Sequence, residues 1–311
     1  MPTKRPSARS ARIAVAIPCH NEAATIAKVV NDFRKNLPRA KVYVFDNAST
    51  DNSVELARKA RAEVRPVGQL GKGNVIRAIF DQLDEDVIVM VDGDDTYYAE
   101  DVNTVLAPVL DDIADMSVGH RMDGATEANM KRLNQLGNRM IVAYINRLFG
   151  TQFEDVLSGY RAFNRRFIES VPVLTSGFEV ETEITIQALA EGLHIVEVPT
   201  RYRSRPADSS SKLRPFADGY RIVLTAAILL RDHRPLRLFG AIALLFWVLA
   251  LVAGILRLFS FVGQGSLPDS ILGGVVLLGV PTGLMALGIG LSLNAINTRF
   301  VGIKTYLRRS K

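Results

Sequence analysis

The chain has 311 residues, 48% of them hydrophobic and 23% charged, and a formal net charge of +6. It is too long and too apolar for a disordered chain and long enough for one large core with a further element besides. A single cysteine, Cys19, excludes a disulfide scaffold and a cysteine-rich zinc site, and four scattered histidines form no HExxH-type pair. The basic balance suits nucleic acid, anionic lipid or phosphate-bearing substrates, and the distribution of residues decides among them.

Residues 1–11 are basic and are not followed at once by an apolar run, which predicts a solvated tail rather than a secretory signal. Ile13–Ile17 (IAVAI), ended by Pro18, suits a buried parallel strand. A helix is predicted from Asn21 to the residue before Pro38, a second strand at Val42–Phe45, and a helix over SVELARKARA after the polar turn Asp46–Asp51. A weaker strand at Val64–Val67, a loop at Gly68–Gly73 and a helix over NVIRAIFDQL lead to the plainest buried strand, Val87–Val91. That strand runs directly into Asp92-Gly93-Asp94-Asp95. The repeated order predicts an open α/β sheet with helices on both faces and ligands at the carboxyl ends of its strands. Each polar cluster falls at such an end.

Two stretches, Leu238–Leu256 and Ile271–Leu293, carry no charge and have no polar face. At 1.5 Å per residue each reaches roughly 30 Å, the thickness of a bilayer's hydrocarbon layer. The connection between them is short, so both ends of the hairpin lie on one side. Arg231, Arg234 and Arg237 precede the first stretch, and Arg299, Lys304, Arg308, Arg309 and Lys311 follow the second, against Arg257 alone in the hairpin. This bias places the N-terminal domain and both termini on the cytoplasmic side, a bacterial inner membrane being the expected setting. The linker-like Ser204–Pro215 precedes an amphipathic stretch, Phe216–Leu230, which reads equally as a membrane-surface helix or as an ordinary docking helix. The expected organisation is a tail at 1–11, an α/β sheet domain at 12–215, an amphipathic helix at 216–235, the membrane hairpin at 236–298 and a basic tail at 299–311. Small residues in the second span (Gly283, Gly288, Gly290) leave homo-oligomerisation open.

Asp92 and Asp94, two apart beyond a wholly apolar strand, suit a hard divalent cation with positions left for substrate phosphates, because packed like charges repel unless a cation stands between them. Asp95 reads either as a further ligand or as a supporting residue. Asp46, Asn47 and Ser49 read as nucleoside recognition by carboxylate and amide or as a helix-capping turn. Gly71-Lys72-Gly73 can offer backbone N–H groups and a cation to phosphate, but it is neither a Walker loop nor a GxGxxG turn. The segment from Asn129 to Phe149 carries Lys131, Arg132 and Arg139 among apolar residues, a guide for lipid phosphate or a solvated cationic face. Asp155 suits contact with the hydroxyls of a ligand or a structural cap. Glu179 and Glu183 share a helix face from which Glu181 points away; one of them suits contact with a bound ligand, and surface decoration is the expectation for at least one of them. Cys19 and His20 read as pocket wall.

In order along the chain stand PCHNE (Pro18–Glu22), DNASTDN (Asp46–Asn52), GKGN (Gly71–Asn74), VDGDDTY (Val91–Tyr97), GHR (Gly119–Arg121), SGYRAF (Ser158–Phe163), GFEVETE (Gly177–Glu183) and SKLR (Ser211–Arg214). Each is loose, but together they resemble the family-2 glycosyltransferases of GT-A fold, in particular the polyprenyl-phosphate branch of dolichyl-phosphate mannose or glucose synthases and their bacterial undecaprenyl-phosphate counterparts. The resemblance covers residues 12 to 215, and the paired C-terminal spans fit the same branch. It implies that Pro18, Asn21, Glu22, Asp46, Asn47 and Lys72 line a nucleotide pocket and that Asp92 and Asp94 hold Mg²⁺ or Mn²⁺ on the diphosphate. It implies that Arg121, Ser158 and Arg161 face the donor sugar or the acceptor phosphate, and that Arg205 and Lys212 belong to a basic loop closing over the phosphates. Where family members often carry Gln two residues beyond the second Asp, this chain has Thr96.

The reaction so implied is inverting transfer of one sugar from a UDP- or GDP-sugar to a membrane polyprenyl phosphate. A phosphate monoester is already ionised near neutral pH, which fits the lack of an evident His–Asp base pair. Asp92, Asp94, Arg121, Asp155 and Arg161 are the expected catalytic set, with Lys131, Arg132, Ser158, Arg205 and Lys212 beside Arg121 on the acceptor phosphate. Phosphate chemistry accounts for the basic charge without nucleic acid, since no interleaved aromatics suggest base stacking. A processive polysaccharide synthase would share the sheet and the acidic pair, but the chain has no QxxRW and its one Trp, Trp247, lies in a span. A membrane-tethered binding protein without catalysis is the other alternative; a transporter is disfavoured because two spans leave no room for a path.

Overall fold

The structure, a computed structural model, describes residues 11–121, 142–143, 145–147, 149–203, 224–225, 227–232, 234–261 and 269–309. The chain divides into two compact units, Met1–Thr225 and Ala226–Lys311. The expectations for Lys131, Arg132, Arg139, Arg205, Lys212, the N-terminal tail and most of the amphipathic stretch lie outside the described residues.

The first unit alternates strand and helix. Its strands are β1 (Ile13–Cys19), β2 (Lys41–Asp46), β3 (Glu63–Pro66), β4 (Val87–Met90), β5 (Met116–Arg121), β6 (Arg161–Asn164) and β7 (Ile195–Thr200). Its helices are α1 (Ile26–Asn36), α2 (Ser53–Lys59), α3 (Lys72–Gln82), α4 (Val102–Leu110), α5 (Arg165–Ser170) and α6 (Val180–Ala190). The strands form one sheet in the order β3-β2-β1-β4-β6-β5-β7, in which β6 alone runs antiparallel to its neighbours. After β3 the chain returns across β1 to lay down β4, so the topological switch falls between β1 and β4, where a crevice opens at the strands' carboxyl ends.

Strand periodicity sorts the core into two layers. Ala14, Ala16, Tyr43, Phe45, Ile88 and Met90 face α3, α5 and α6, whereas Val15, Ile17, Val42, Val44, Val87 and Val89 face α1, α2 and α4. Burial on both faces explains why β1 and β4 read as unbroken apolar runs. α1 starts at Ile26 rather than at Asn21, because Asn21 takes a left-handed φ of 53° and the chain needs a turn from Glu22 to Thr25 before the helix settles.

Helix α6 departs from expectation. Residues Val180 to Ala188 are all buried, so it has no exposed face on which Glu179, Glu181 or Glu183 could sit as decoration. Glu183 is 1% exposed and accepts hydrogen bonds from Leu174 N–H (2.9 Å), Thr175 N–H (2.9 Å), Thr175 Oγ1 (2.6 Å) and Gln187 Nε2 (2.8 Å). It thereby fixes the 174–176 loop, whose carbonyls press against Gly71 and Gly73 so closely that neither position has room for a Cβ.

In the second unit α7 (Pro235–Phe261) and α8 (Asp269–Arg309) pack along each other. Within them Pro235–Phe259 and Ser270–Arg299 are long and apolar enough to cross a membrane, and only 17% and 22% of their most apolar windows are buried within the protein, unlike core helices of a soluble domain. Gly283 makes room for the Trp247 indole, whose Nε1 donates to Val280 O at 3.3 Å. Helix α8 continues to Arg309, so most of the predicted basic tail extends the helix.

Glu183→Ala is expected to remove about 3 kcal/mol of stability, since several hydrogen bonds to one buried carboxylate are lost together. Denaturant unfolding of the purified protein measures this, and a loss below about 1 kcal/mol would contradict the role.

Candidate active site

The crevice is framed by the loops after β1, β2 and β4 and by the start of α3. Asn47 binds these pieces together: its N–H donates to Cys19 O (2.7 Å), its Nδ2 to Val67 O (3.2 Å) and Gln69 O (2.7 Å), and its Oδ1 accepts from Gly71 N–H (2.7 Å). His20 Nδ1 lies 2.7 Å from Asn47 O, and because a carbonyl only accepts, this nitrogen carries the hydrogen. Asn21 Oδ1 accepts from Thr50 N–H at 2.7 Å, and Asp46 accepts from Ser49 N–H at 3.3 Å. Thr25 Oγ1 donates to Gly93 O at 2.7 Å, which fastens α1 to the loop after β4.

The cleft between these loops holds about 200 Å³ of space and is walled by Pro18, Cys19, His20, Glu22, Asn47, Lys72, Asp92, Asp94 and Phe178, among others. Six of the expected residues thus converge on it: Pro18, Glu22, Asn47, Lys72, Asp92 and Asp94. Asn21 and Asp46 are not on this wall and act as loop braces; Asp46 accepts from Ser49 N–H within its own turn, while the following helix is capped at Asn52 with no side-chain cap bond. Burial and neighbouring carboxylates push the Cys19 thiol up to about 12, which keeps it protonated and fits a wall residue.

The acidic pair is held on two sides. Asp94 Oδ1 accepts from Thr96 N–H (3.1 Å) and Thr96 Oγ1 (2.6 Å), so Thr96 orients this carboxylate. Asp92 packs against Gly159, where a Cβ would collide with it, and its Oδ1 lies 2.6 Å from Lys72 Nζ. The same ammonium meets Glu181 Oε1 at 2.6 Å. Burial alone would lower the Lys72 pKa, but Asp92 and Glu181 outweigh it and raise it, so this lysine stays charged. Asp95, at φ 59°, is not on the cleft wall: it pairs with Lys28 (2.9 Å) and Arg203 (2.8 Å), while Arg203 Nε donates to its carbonyl (2.7 Å). This favours the supporting reading over the ligand one.

A second charged group lies where β5 ends. Arg121 and Asp155 form a bidentate pair, Nε to Oδ2 at 2.6 Å and Nη2 to Oδ1 at 2.9 Å. Burial pushes the Asp155 carboxyl up, yet the Arg121 guanidinium holds it below the ordinary carboxylate range. Glu197 fixes the backbone beneath, accepting from Glu154 N–H (2.8 Å) and Asp155 N–H (2.9 Å).

Two expected ligand contacts lie elsewhere. Arg161 is fully buried, with Nε on Ser158 O (2.8 Å), Nη2 on Val156 O (2.6 Å) and Nη1 on Thr185 Oγ1 (2.9 Å). Ser158 is also fully buried and donates to Gly119 O at 2.5 Å. Both brace the loop that carries Asp155 and Gly159 instead of facing a ligand. Sequence reasoning missed Glu181, because a face argument for an exposed helix set it apart from Glu179 and Glu183; the signal available was the apolar filling between these glutamates, which marks a helix buried on every side.

Residues 14–171 match the Glycosyl transferase family 2. Glycosyltransferase AglJ of Haloferax volcanii is 36% identical over 231 residues, 74% of this chain and 76% of that protein. The dolichyl-phosphate hexose transferase of the same organism is 33% identical over 208 residues, 67% of this chain and 89% of that protein. Among solved structures, Mycobacterium tuberculosis glucosyl-3-phosphoglycerate synthase in complex with Mn²⁺, UDP and glucosyl-3-phosphoglycerate superposes with a TM-score of 0.60 at 22% identity, covering 71% of this chain and 80% of that one. The sheet, the acidic turn after its fourth strand and these matches together make the chain a glycosyltransferase of family 2 with a GT-A-type α/β sheet.

Proposed function

We propose that the protein transfers one sugar from a nucleotide-sugar, UDP- or GDP-linked, to a membrane polyprenyl phosphate, with inversion and with Mg²⁺ or Mn²⁺ at Asp92 and Asp94. The observation that carries this reading is the convergence of Asp92, Asp94 and Lys72 on one cleft at the carboxyl edge of the sheet. The acceptor class is supported by the dolichyl-phosphate relative and by two helices able to cross a bilayer. The basic flanks of those helices support a cytoplasmic catalytic domain.

The residues present suit a divalent cation. Asp92 already accepts a cationic group, the Lys72 ammonium, at 2.6 Å, and Thr96 presents Asp94 from behind. Two carboxylates plus substrate phosphate oxygens are a usual setting for Mg²⁺, and the described residues include no group of three or more acidic, His or Cys side chains that would make a closed cage. Held by Asp92 and Asp94, the metal would neutralise charge on the departing diphosphate.

The chain's own residues do the rest. Pro18, Glu22 and Asn47 shape the nucleotide wall, and Lys72 offers an ammonium to the diphosphate. Arg121 offers its guanidinium to the acceptor phosphate, with Asp155 fixing the fork so that one anion-binding edge is presented. The acceptor is ionised at neutral pH, so the site's task is to bring two anions together rather than to remove a proton.

Incubating the purified protein with Mn²⁺, undecaprenyl phosphate and UDP- or GDP-sugars should yield a glycosyl phospholipid detectable by mass; release of nucleotide without glycolipid across the donor set would contradict the acceptor assignment. Asp94→Asn should lower turnover by about a hundredfold or more with circular dichroism unchanged, and wild-type turnover in that variant would refute the metal role. Arg121→Lys, which loses the planar fork, should raise the KM for lipid phosphate roughly tenfold and leave nucleotide affinity within twofold; equal losses for both substrates would remove Arg121 from the acceptor side.

A further inference from the structure

Lys72 stands between two carboxylates, at 2.6 Å from each, and only one of them belongs to the acidic pair. Its other partner, Glu181, has a side chain 4% exposed and comes from α6, an element with no other part in the proposed chemistry. A carboxylate is not left in such a position without cause: its desolvation is costly unless a cation meets it. A divalent cation at Asp92 and the Lys72 ammonium would compete for one carboxylate, whose single negative charge cannot satisfy both at full strength. From this geometry we propose that Lys72 is the resident counter-ion of the acidic pair, and that Glu181 is the positioning residue that keeps its charge satisfied when a divalent cation takes over Asp92.

The inference rests on the metal reading above and deepens it. With Glu181 present, Lys72 has a second home 2.6 Å away, so giving up Asp92 costs little. With Glu181 neutralised, the ammonium has Asp92 alone and holds it against the metal. Gly73 N–H donates to Ser176 O at 3.0 Å, and the crowding of Gly71 and Gly73 against residues 175–176 pins the start of α3 beside α6. The lysine therefore stays within reach of Glu181 when Asp92 is taken. Simple addition of charges would give removal of Lys72 the same effect whatever stands at position 181, whereas a handover between two partners makes the two residues non-additive.

The test is Mn²⁺ affinity without nucleotide, read from the free-Mn²⁺ signal in electron paramagnetic resonance on the full chain in detergent micelles. Glu181→Gln should weaken Mn²⁺ binding about tenfold, Lys72→Met alone should change it about threefold or less, and the double variant should return to near the wild-type value. An affinity within twofold of wild type in Glu181→Gln, or no rescue in the double variant, overturns the proposal. Where Glu181→Gln does not fold, Glu181→Asp replaces it, keeping the charge but shortening its reach: weaker Mn²⁺ binding that Lys72→Met restores supports the handover, and unchanged binding overturns it. Wild-type protein that binds no Mn²⁺ removes the metal reading itself, whereas binding that is lost in Asp94→Asn but indifferent to position 181 removes only the handover.

Discussion

Like charges gathered at the edge of a buried sheet must be compensated, and much of the catalytic unit is arranged around that requirement. β4 delivers Asp92, Asp94 and Asp95 from a strand with no polar residue in it, into a crevice already bordered by Glu22. Asp95 is neutralised from outside by Lys28 and Arg203, and Asp92 from the far side of the cleft by Lys72. Asp94 is oriented by Thr96, whose hydroxyl donates to it. Carboxylates gathered at such a corner are a usual setting for a divalent cation and for the diphosphate it accompanies.

Rigidity around the cleft comes from side chains that tie its loops together. Asn47 links β1, the end of β3 and the start of α3; Thr25 fastens α1 to Gly93; Arg161 holds residues 156–158 against α6. These buried polar groups are satisfied largely by backbone atoms, so each fixes a loop rather than a single side chain. Preorganised charges cost no reorganisation during reaction, which is the main electrostatic advantage a protein site has over water.

Much of this was legible in the sequence because strand and loop signals are local. IAVAI and VIVM are apolar on both faces, so parallel strands and the position of the acidic turn after them follow from composition alone. The hairpin of apolar helices is legible for the same reason. β5, β6 and β7 carry weaker patterns: β6 is only four residues long and begins with a buried arginine, and β7 has no fully buried run. Arg161 and Ser158 read as ligand contacts because polarity in a motif resembles chemistry, whereas their hydrogen bonds run to carbonyls and a hydroxyl that lie close only after folding. Glu181 was hidden by the opposite assumption, that a glutamate-rich helix end faces water; its partner Lys72 lies more than a hundred residues earlier in the chain.

The proposed function requires that Asp92 and Asp94 grip a divalent cation beside the donor's diphosphate. Anomalous diffraction at the manganese edge, from crystals grown with Mn²⁺ and a nucleoside diphosphate, locates the ion without reference to activity. A peak is expected at about 2.0–2.6 Å from carboxylate oxygens of both aspartates, next to the phosphate oxygens within the cleft. A peak at another position, or a diphosphate seated in the cleft with no ion between it and these two residues, would contradict it.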